Sequence, residues 1–258
     1  MRHDTAYTYE EEVQSSYNEL RLLPAESGSQ HVVQARVHTT PPGLQQHFTD
    51  YYGNHVVYLE VTRRHRRLEI RTDVLVDTQG GALEVPGRRP EEFLQAGRLT
   101  RLDEVSAERL ACLSATDVRG LMAGVRELLR YESGVTGTDT DVNTALRLGR
   151  GVCQEFAHVF VSVCRFKGIP ARYVGGYLLQ SGPGGPQESH AWAEVYADGE
   201  WRACDPTHGC LSDERYLGVA VGRDYADIPP VKGVFLGPGV QGMRVRLRVV
   251  EQVAASDQ

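Results

Sequence analysis

The chain has no Cys-x-x-Cys pair, and its five cysteines, at 112, 153, 164, 204 and 210, are odd in number and scattered. That is not the pattern of a secreted disulfide framework. Long apolar runs are also missing: the longest candidate, Phe156 to Cys164, falls far short of the ~20 residues that cross a bilayer. The opening Met1-Arg2-His3-Asp4-Thr5, followed by Glu10-Glu11-Glu12, offers no apolar stretch of a signal peptide. Positive charge is not in excess either. Against 34 acidic residues stand 28 basic ones, a net −6 with a pI near 5.9, which argues against nucleic acid or an anionic membrane as partner, because both need a clustered basic surface. No internal repeat or low-complexity segment is visible. A soluble, cytoplasmic protein is expected.

What is present is enough for a sizeable core. With 258 residues, 41% of them hydrophobic, one or two domains are expected. At this size a fold buries roughly 70–75% of the surface its unfolded chain exposes, so no metal or disulfide staple is required. Residues 1–77 read as β structure. Strand formers fill His31–His38 and His55–Thr62, with turn residues at Asp50-Tyr51-Tyr52-Gly53-Asn54 before the second. Leu68, Ile70, Val74 and Val76 alternate with polar Glu69, Arg71 and Asp73, giving one buried and one wet face. Without an intervening helical period, an antiparallel sandwich is expected over a βαβ unit. Arg63-Arg64-His65-Arg66-Arg67 reads as a solvated hairpin turn.

Residues 78–112 carry Gly80, Gly81, Pro86, Gly87 and Pro90, and are read as a linker. Helical spacing then begins. Ser114-Ala115-Thr116-Asp117 resembles a capping box, and Val118, Leu121, Met122, Val125, Leu128 and Leu129 form one apolar face. A short helix after Thr140-Asp141 is expected to bury Val142, Ala145 and Leu146. The most apolar helix runs from Cys153 to Lys167 and is closed by Gly168 and Pro170. Its apolar positions surround the axis, so it should lie at the centre of a second domain, residues 113–258. Strands are expected at Ala171–Gln180, Ser189–Ala197 and Glu200–Asp205, with a further alternating strand from Met243 to Val250. Helices followed by strands make this an α+β domain.

Cys153 follows Gly149-Arg150-Gly151-Val152 and opens the buried helix, where backbone N–H groups and the helix dipole favour a negative charge. Taken alone, it reads equally as a small core residue. Asp198-Gly199 is a two-residue hairpin signal. With Ala197 facing Glu200, Tyr196 meets Trp201, and Trp192 meets Asp205. His190 and Asp205 then form a diagonal pair on one sheet face, with backbones roughly 7–8 Å apart. A carboxylate oriented onto a histidine is what a general base needs. His158, five residues after Cys153, is turned about 140° away and reads as a core histidine. Cys204, His208 and Cys210 invite a zinc reading, but Cys204 points opposite to Asp205 and a fourth ligand is missing. Gly182-Pro183-Gly184-Gly185-Pro186 is read as a flexible connector, since no helix with a Lys-Ser/Thr start follows it.

Four blocks now become comparable with a known family. Gly149–His158 resembles the nucleophile motif of the bacterial transglutaminase-like superfamily, whose members are described as cysteine proteases. Lys167–Tyr177 resembles the next block, Ser189–Val195 the histidine block, and Cys204–Gly209 the aspartate block. They occur in the family's order. Residues 1–77 resemble the N-terminal β-sandwich of the bacterial members, and Tyr216–Pro230 their C-terminal segment. The resemblance implies a papain-like core, a central helix packed on an antiparallel sheet, with Cys153 as nucleophile, His190 as base and Asp205 as orienting acid. It also makes Gln154, Tyr177 and Trp192 candidates for the substrate pocket. The sequence departs from animal transglutaminases, which place a tryptophan upstream of the cysteine to hold the oxyanion; Trp192 and Trp201 both follow Cys153. The Cys153 backbone N–H supplies one oxyanion donor, and a second is unassigned.

The expected activity is acyl transfer from a peptide or glutamine-type amide through a Cys153 thioester, with a peptide or protein as substrate. Hydrolysis is the expected outcome, transfer to an amine the alternative, and a non-catalytic binding module the other class. No EF-hand-type acidic loop is visible, and no cofactor or metal is expected. Deglycosylating relatives of the same core carry paired Cys-x-x-Cys motifs that this chain lacks.

Overall fold

The computed structural model describes residues 1–84, 88–179 and 188–251. The connector Gly182–Pro186, the expected strand end at Gln180 and the loop markers Pro86 and Gly87 lie outside the described residues. Six strands come first: β1 (Arg2–Val13), β2 (Ser15–Leu20), β3 (Gln30–Thr40), β4 (Leu44–Thr49), β5 (His55–Val61) and β6 (His65–Thr78). A 3-10 turn at Pro90–Leu94 and helices α1 (Glu104–Ala111) and α2 (Val118–Leu128) follow. Next come the short β7 (Arg130–Tyr131), α3 (Val142–Leu148), the short β8 (Arg150–Gly151) and the central helix α4 (Cys153–Phe166). The chain continues through β9 (Ala171–Leu178), β10 (Ser189–Ala197), β11 (Glu200–Asp205), β12 (Cys210–Leu211) and β13 (Tyr216–Gly222). It ends on β14 (Val231–Leu236) and β15 (Val240–Arg248).

The β-rich start folds as expected into two packed antiparallel sheets, ordered β15-β1-β6-β3 and β14-β2-β5-β4. Between them lie Tyr9, Val13, Leu20, Val57, Leu59, Val61, Leu68 and Ile70, the inward members of alternating strands. Of the strands in these two sheets, β1, β2, β4 and β14 escaped the sequence reading. β1 turns His3 and Thr5 inward, so its alternation is not apolar, and β4 is exposed along most of its length. The end of the chain also departs from expectation. The alternating strand near Met243 exists, but it pairs with β1, and β14 pairs with β2. Residues 231–248 therefore complete the two N-terminal sheets instead of extending the second domain. Alternation reveals a half-buried strand but carries no information about which edge it joins.

The second half is an antiparallel sheet ordered β12-β11-β10-β9-β13, with α4 against one face. Ala171, Ala193, Val195 and Cys204 meet Phe156, Val159, Phe160 and Val163 of the helix, and α2 and α3 pack behind it. The helix starts are capped as their residue types dictate: Asp117 accepts from the Gly120 N–H at 2.9 Å, and Asp141 from Thr144 at 2.7 Å. The α2 cap is thus Asp117, the last residue of the expected box. Lys167 caps α4, and Gly168 follows at φ 77°. Asp198 and Gly199, at φ 54° and 87°, make the two-residue turn between β10 and β11.

The expected linker, 78–112, is packed rather than loose. Leu83, Phe93, Leu99 and Leu110 are buried. Leu83 covers the sheet face opposite α4: its N–H donates to Glu194 Oε1 at 2.8 Å, and Arg172 donates to its carbonyl. Arg172 Nε in turn donates to Glu194 Oε2 at 2.7 Å, with both side chains sealed from water. The outer edge of β13 is covered by two side-chain amides of the sandwich. Gln30 donates to the Gly218 carbonyl at 2.8 Å and accepts from its N–H at 3.1 Å, and Asn54 does the same at Val221 at 2.8 and 2.7 Å. These amides take the place of a neighbouring strand and close an edge that would otherwise invite pairing. Replacing Glu194 with Ala leaves the Arg172 charge buried and unpaired. It should cost about 3–5 kcal/mol, seen as a lower urea midpoint with an unchanged m-value.

Candidate active site

The chain enters α4 through β8, and Gly151 is needed there, since a Cβ at this position would stand 2.7 Å from that of Glu155. Cys153 is the first residue of the helix, so its backbone N–H and that of Gln154 have no intrahelical acceptor. Glu155 closes the helix start from below: its Oε2 accepts from the Val152 N–H and from Thr136 Oγ1, both at 2.9 Å. Burial raises the pKa of this carboxyl, against the hydrogen bonds that lower it.

β10 and β11 pair in the register anticipated from the turn, Ala197 with Glu200 through Ala193 with Cys204. The diagonal pair is made: His190 Nε2 lies 2.7 Å from Asp205 Oδ2. Asp205 has no solvent exposure. Its Oδ2 also accepts from His208 Nδ1 at 2.6 Å and from the Tyr216 hydroxyl at 2.8 Å, and its Oδ1 accepts from the N–H groups of Thr207 and His208 at 2.8 and 3.2 Å. Burial alone would raise its pKa, but the hydrogen bonds and charges of the two histidines hold the carboxyl far below the usual range. For His190, burial disfavours the charged ring, yet hydrogen bonds to Asp205 and to the Cys153 sulfur, with their charges, outweigh it and hold the pKa up to about 9. With Nε2 committed to Asp205, Nδ1 is the nitrogen left for the sulfur.

A cavity of about 870 Å³ opens here. Cys153, His190, Tyr131, Tyr173, Tyr177 and Gln154 contribute to its wall. His3, Arg21 and Val245 join them, so the first and last parts of the chain help to build it. Gln154 reaches the wall, but its amide is engaged with the carbonyls of Gly137 and Thr138 at 3.5 and 3.3 Å. Tyr177 is buried, its hydroxyl 2.7 Å from His3 Nδ1. Burial lowers the pKa of that histidine to about 4. Trp192 is not part of the cavity wall. It stacks behind His190 at 6.1 Å and packs edge-on to Tyr216 at 5.4 Å, in the layer closed by Leu83. Alternation put Trp192 on the right face, but that face is covered, not open.

Tyr216, and His208 as an Asp205 partner, were missed because both donors come from outside the hairpin whose register could be read. Among the described residues, His190, Asp205 and His208 bring metal-ligating atoms within 4.8 Å of one another. Two ~2.1 Å bonds at a tetrahedral metal would set its ligands about 3.4 Å apart, whereas 2.6–2.7 Å is the spacing of a shared proton. Cys204 lies in the helix-side core and Cys210 sits 3.6 Å from the Tyr216 hydroxyl, so the two thiols do not converge with His208. His158 is fully buried, neutral through a pKa lowered by burial to about 3, and accepts from the Tyr225 N–H at 3.2 Å. No helix among the described residues is long and apolar enough to cross a membrane.

Comparison with known proteins agrees with this architecture. An uncharacterized protein of Mycobacterium leprae is 32% identical over 273 residues, 96% of each chain. One from Mycobacterium tuberculosis is 35% identical over 90% of this chain and 85% of its own. A crystal structure from Cytophaga hutchinsonii, named "Putative Cysteine Protease", superposes with a TM-score of 0.75 at 23% identity, over 99% of this chain and 93% of that one. Residues 1–77 match the bacterial transglutaminase-like N-terminal region and residues 108–206 the core, and the chain belongs to the transglutaminase-like superfamily.

Proposed function

We propose that this protein is a cysteine hydrolase of peptide or glutamine-type amides, acting through Cys153, His190 and Asp205. The observation that carries the reading is the His190 ring, held by buried Asp205 through Nε2 and hydrogen-bonded to the Cys153 sulfur, at the wall of an open cavity. The Cys153 sulfur attacks the amide carbonyl and forms a C–S bond. Charge gathers on the carbonyl oxygen, where the Cys153 backbone N–H at the helix start donates. His190 gives its proton to the departing nitrogen, the C–N bond breaks, and a thioester remains. Water activated by His190 then cleaves the thioester, releasing a carboxylic acid and the thiol. An open cavity at the sulfur admits that water. Incubation with glutamine-containing peptides, with and without a primary amine, tests the reading by mass spectrometry. Cleavage or deamidation is expected, incorporation of the amine would make the protein a transferase, and no reaction across a broad panel would leave a binding module.

Reactivity of the thiols gives a direct check. Cys112 is exposed, Cys153 and Cys210 are half-buried, and Cys164 and Cys204 are buried. Access alone would make Cys112 the most reactive. Iodoacetamide at pH 6–7 should instead label Cys153 first, as read by peptide mapping, and Cys153→Ala should abolish turnover.

The pH profile follows from His190. Its raised pKa keeps the proton on the ring below about pH 9 and loses it above, so kcat/KM should fall on an alkaline limb near pH 9. Asp205→Asn removes a charge and a hydrogen bond that raise this pKa. The limb should move to lower pH, and kcat/KM should drop roughly 10²–10⁴-fold. Asn is the informative substitution, because Ala would strand donors of His190, His208, Tyr216 and Thr207 around a buried void and damage the fold as well.

A further inference from the structure

The register of the sheet β15-β1-β6-β3 gathers arginines that are far apart in the chain. On its outward face, Arg248, Arg2, Asp73 and Arg36 form one cross-strand row, Arg246, Asp4, Arg71 and His38 the next, and Arg244, Ala6, Glu69 and Thr40 the third. Arg67 stands beyond the third row, opposite Thr8. With strands ~4.8 Å apart and alternate residues ~6.8 Å apart, the three rows cover about 14 by 14 Å. The three acids on this face are already engaged: Asp73 with Arg2 at 2.7 Å, Asp4 with Arg71 at 2.6 Å, and Glu69 with Arg67 at 2.5 Å. Arg36, Arg244, Arg246 and Arg248 are exposed and have no ion-pair partner among the described residues. A groove of about 170 Å³ runs over the face between Arg71 and Arg244. In a chain of net charge −6, this is a strongly basic island.

We propose that this face binds an acidic polypeptide segment through Arg36, Arg244, Arg246 and Arg248. A guanidinium presents a planar fork that matches a carboxylate with two hydrogen bonds. The three rows hold no Phe, Tyr or Trp, so nothing offers the stacking platforms on which single-stranded nucleic acids rest. An extended peptide of about four residues spans 14 Å, the width of the three rows. Val245, between Arg244 and Arg246, points to the other face of β15 and lines the cavity that holds Cys153, so the strand separates the two sites.

Binding by the full chain can be read without any catalysis, from the fluorescence anisotropy of a labelled hexaglutamate peptide and of a labelled hexameric single-stranded oligonucleotide. The peptide should bind at 50 mM salt, more tightly than the oligonucleotide. Its affinity should fall at least tenfold in the Arg36→Gln, Arg244→Gln, Arg246→Gln, Arg248→Gln variant and stay unchanged in Arg63→Gln, Arg64→Gln, which alters the exposed hairpin beside the face. The unfolding midpoint of the fourfold variant should match that of the parent, since its targets are exposed and unpaired. No peptide binding, equal binding by the fourfold variant, or tighter binding of the oligonucleotide would each overturn the proposal.

Discussion

A carboxylate with no access to water can remain ionised only if donors replace the water it has lost, and Asp205 sets this condition for the whole end of the sheet. Its donors come from β10, from the turn after β11 and from the first residue of β13. Each is therefore fixed by the same buried charge. The orientation of His190 is one consequence among several, and the turn at Thr207-His208 and the seat of Tyr216 are others. Tyr216 reaches Asp205 from a strand at the opposite edge of the sheet, with Trp192 packed against its ring. That packing needs Gly176. A Cβ there would stand 2.6 Å from the indole and 2.2 Å from the Leu217 carbonyl, so β9 must be bare where the tryptophan crosses it.

The cleft is likewise a joint product of distant segments. α4 brings the sulfur, β10 the imidazole, and His3, Arg21 and Val245 bring a wall from the two ends of the chain. What keeps that wall in place is visible in the bonds between the sandwich and the second sheet: His3 with Tyr177, Gln30 with Gly218, and Asn54 with Val221. They are buried polar contacts, made at fixed backbone positions, and a sliding interface would leave their partners unsatisfied. The sandwich is part of the cleft's construction.

Legibility in the sequence followed the range of the interactions. The hairpin at Asp198-Gly199 is local, and a two-residue turn sets the register of everything behind it, so the approach of His190 to Asp205 could be read from spacing. The boundaries of α3 and α4 were also local, set by Asp141 and by Gly168. Cover was not. Whether the Trp192 face was open depended on Leu83, in a stretch whose glycines and prolines speak only of loop. Membership of the sandwich depended on β14 and β15 pairing with strands more than 200 residues earlier. Net charge was silent on the arginine face for the same reason. A total of −6 is a sum, and sums do not record that four strands, one from each end of the chain among them, set their arginines on one face.

Three consecutive residues at the head of α4 show how closely these demands are packed. Cys153 offers the sulfur to the cavity. Gln154 ties the carbonyls of Gly137 and Thr138 to the helix and so steadies the wall across from His190. Glu155 turns under the helix to accept from Val152 and Thr136, fixing the direction of the first turn and hence of the Cys153 N–H. Burial raises the pKa of this carboxyl, while the hydrogen bonds from Val152, Thr136 and Gln154 lower it. An amide at position 155 could still reach the Val152 N–H, but it would bring a donor into a pocket that supplies only donors. The carboxyl is therefore matched to its surroundings by hydrogen-bond polarity, and the motif around the cysteine holds the thiol, the helix start and the cleft wall together.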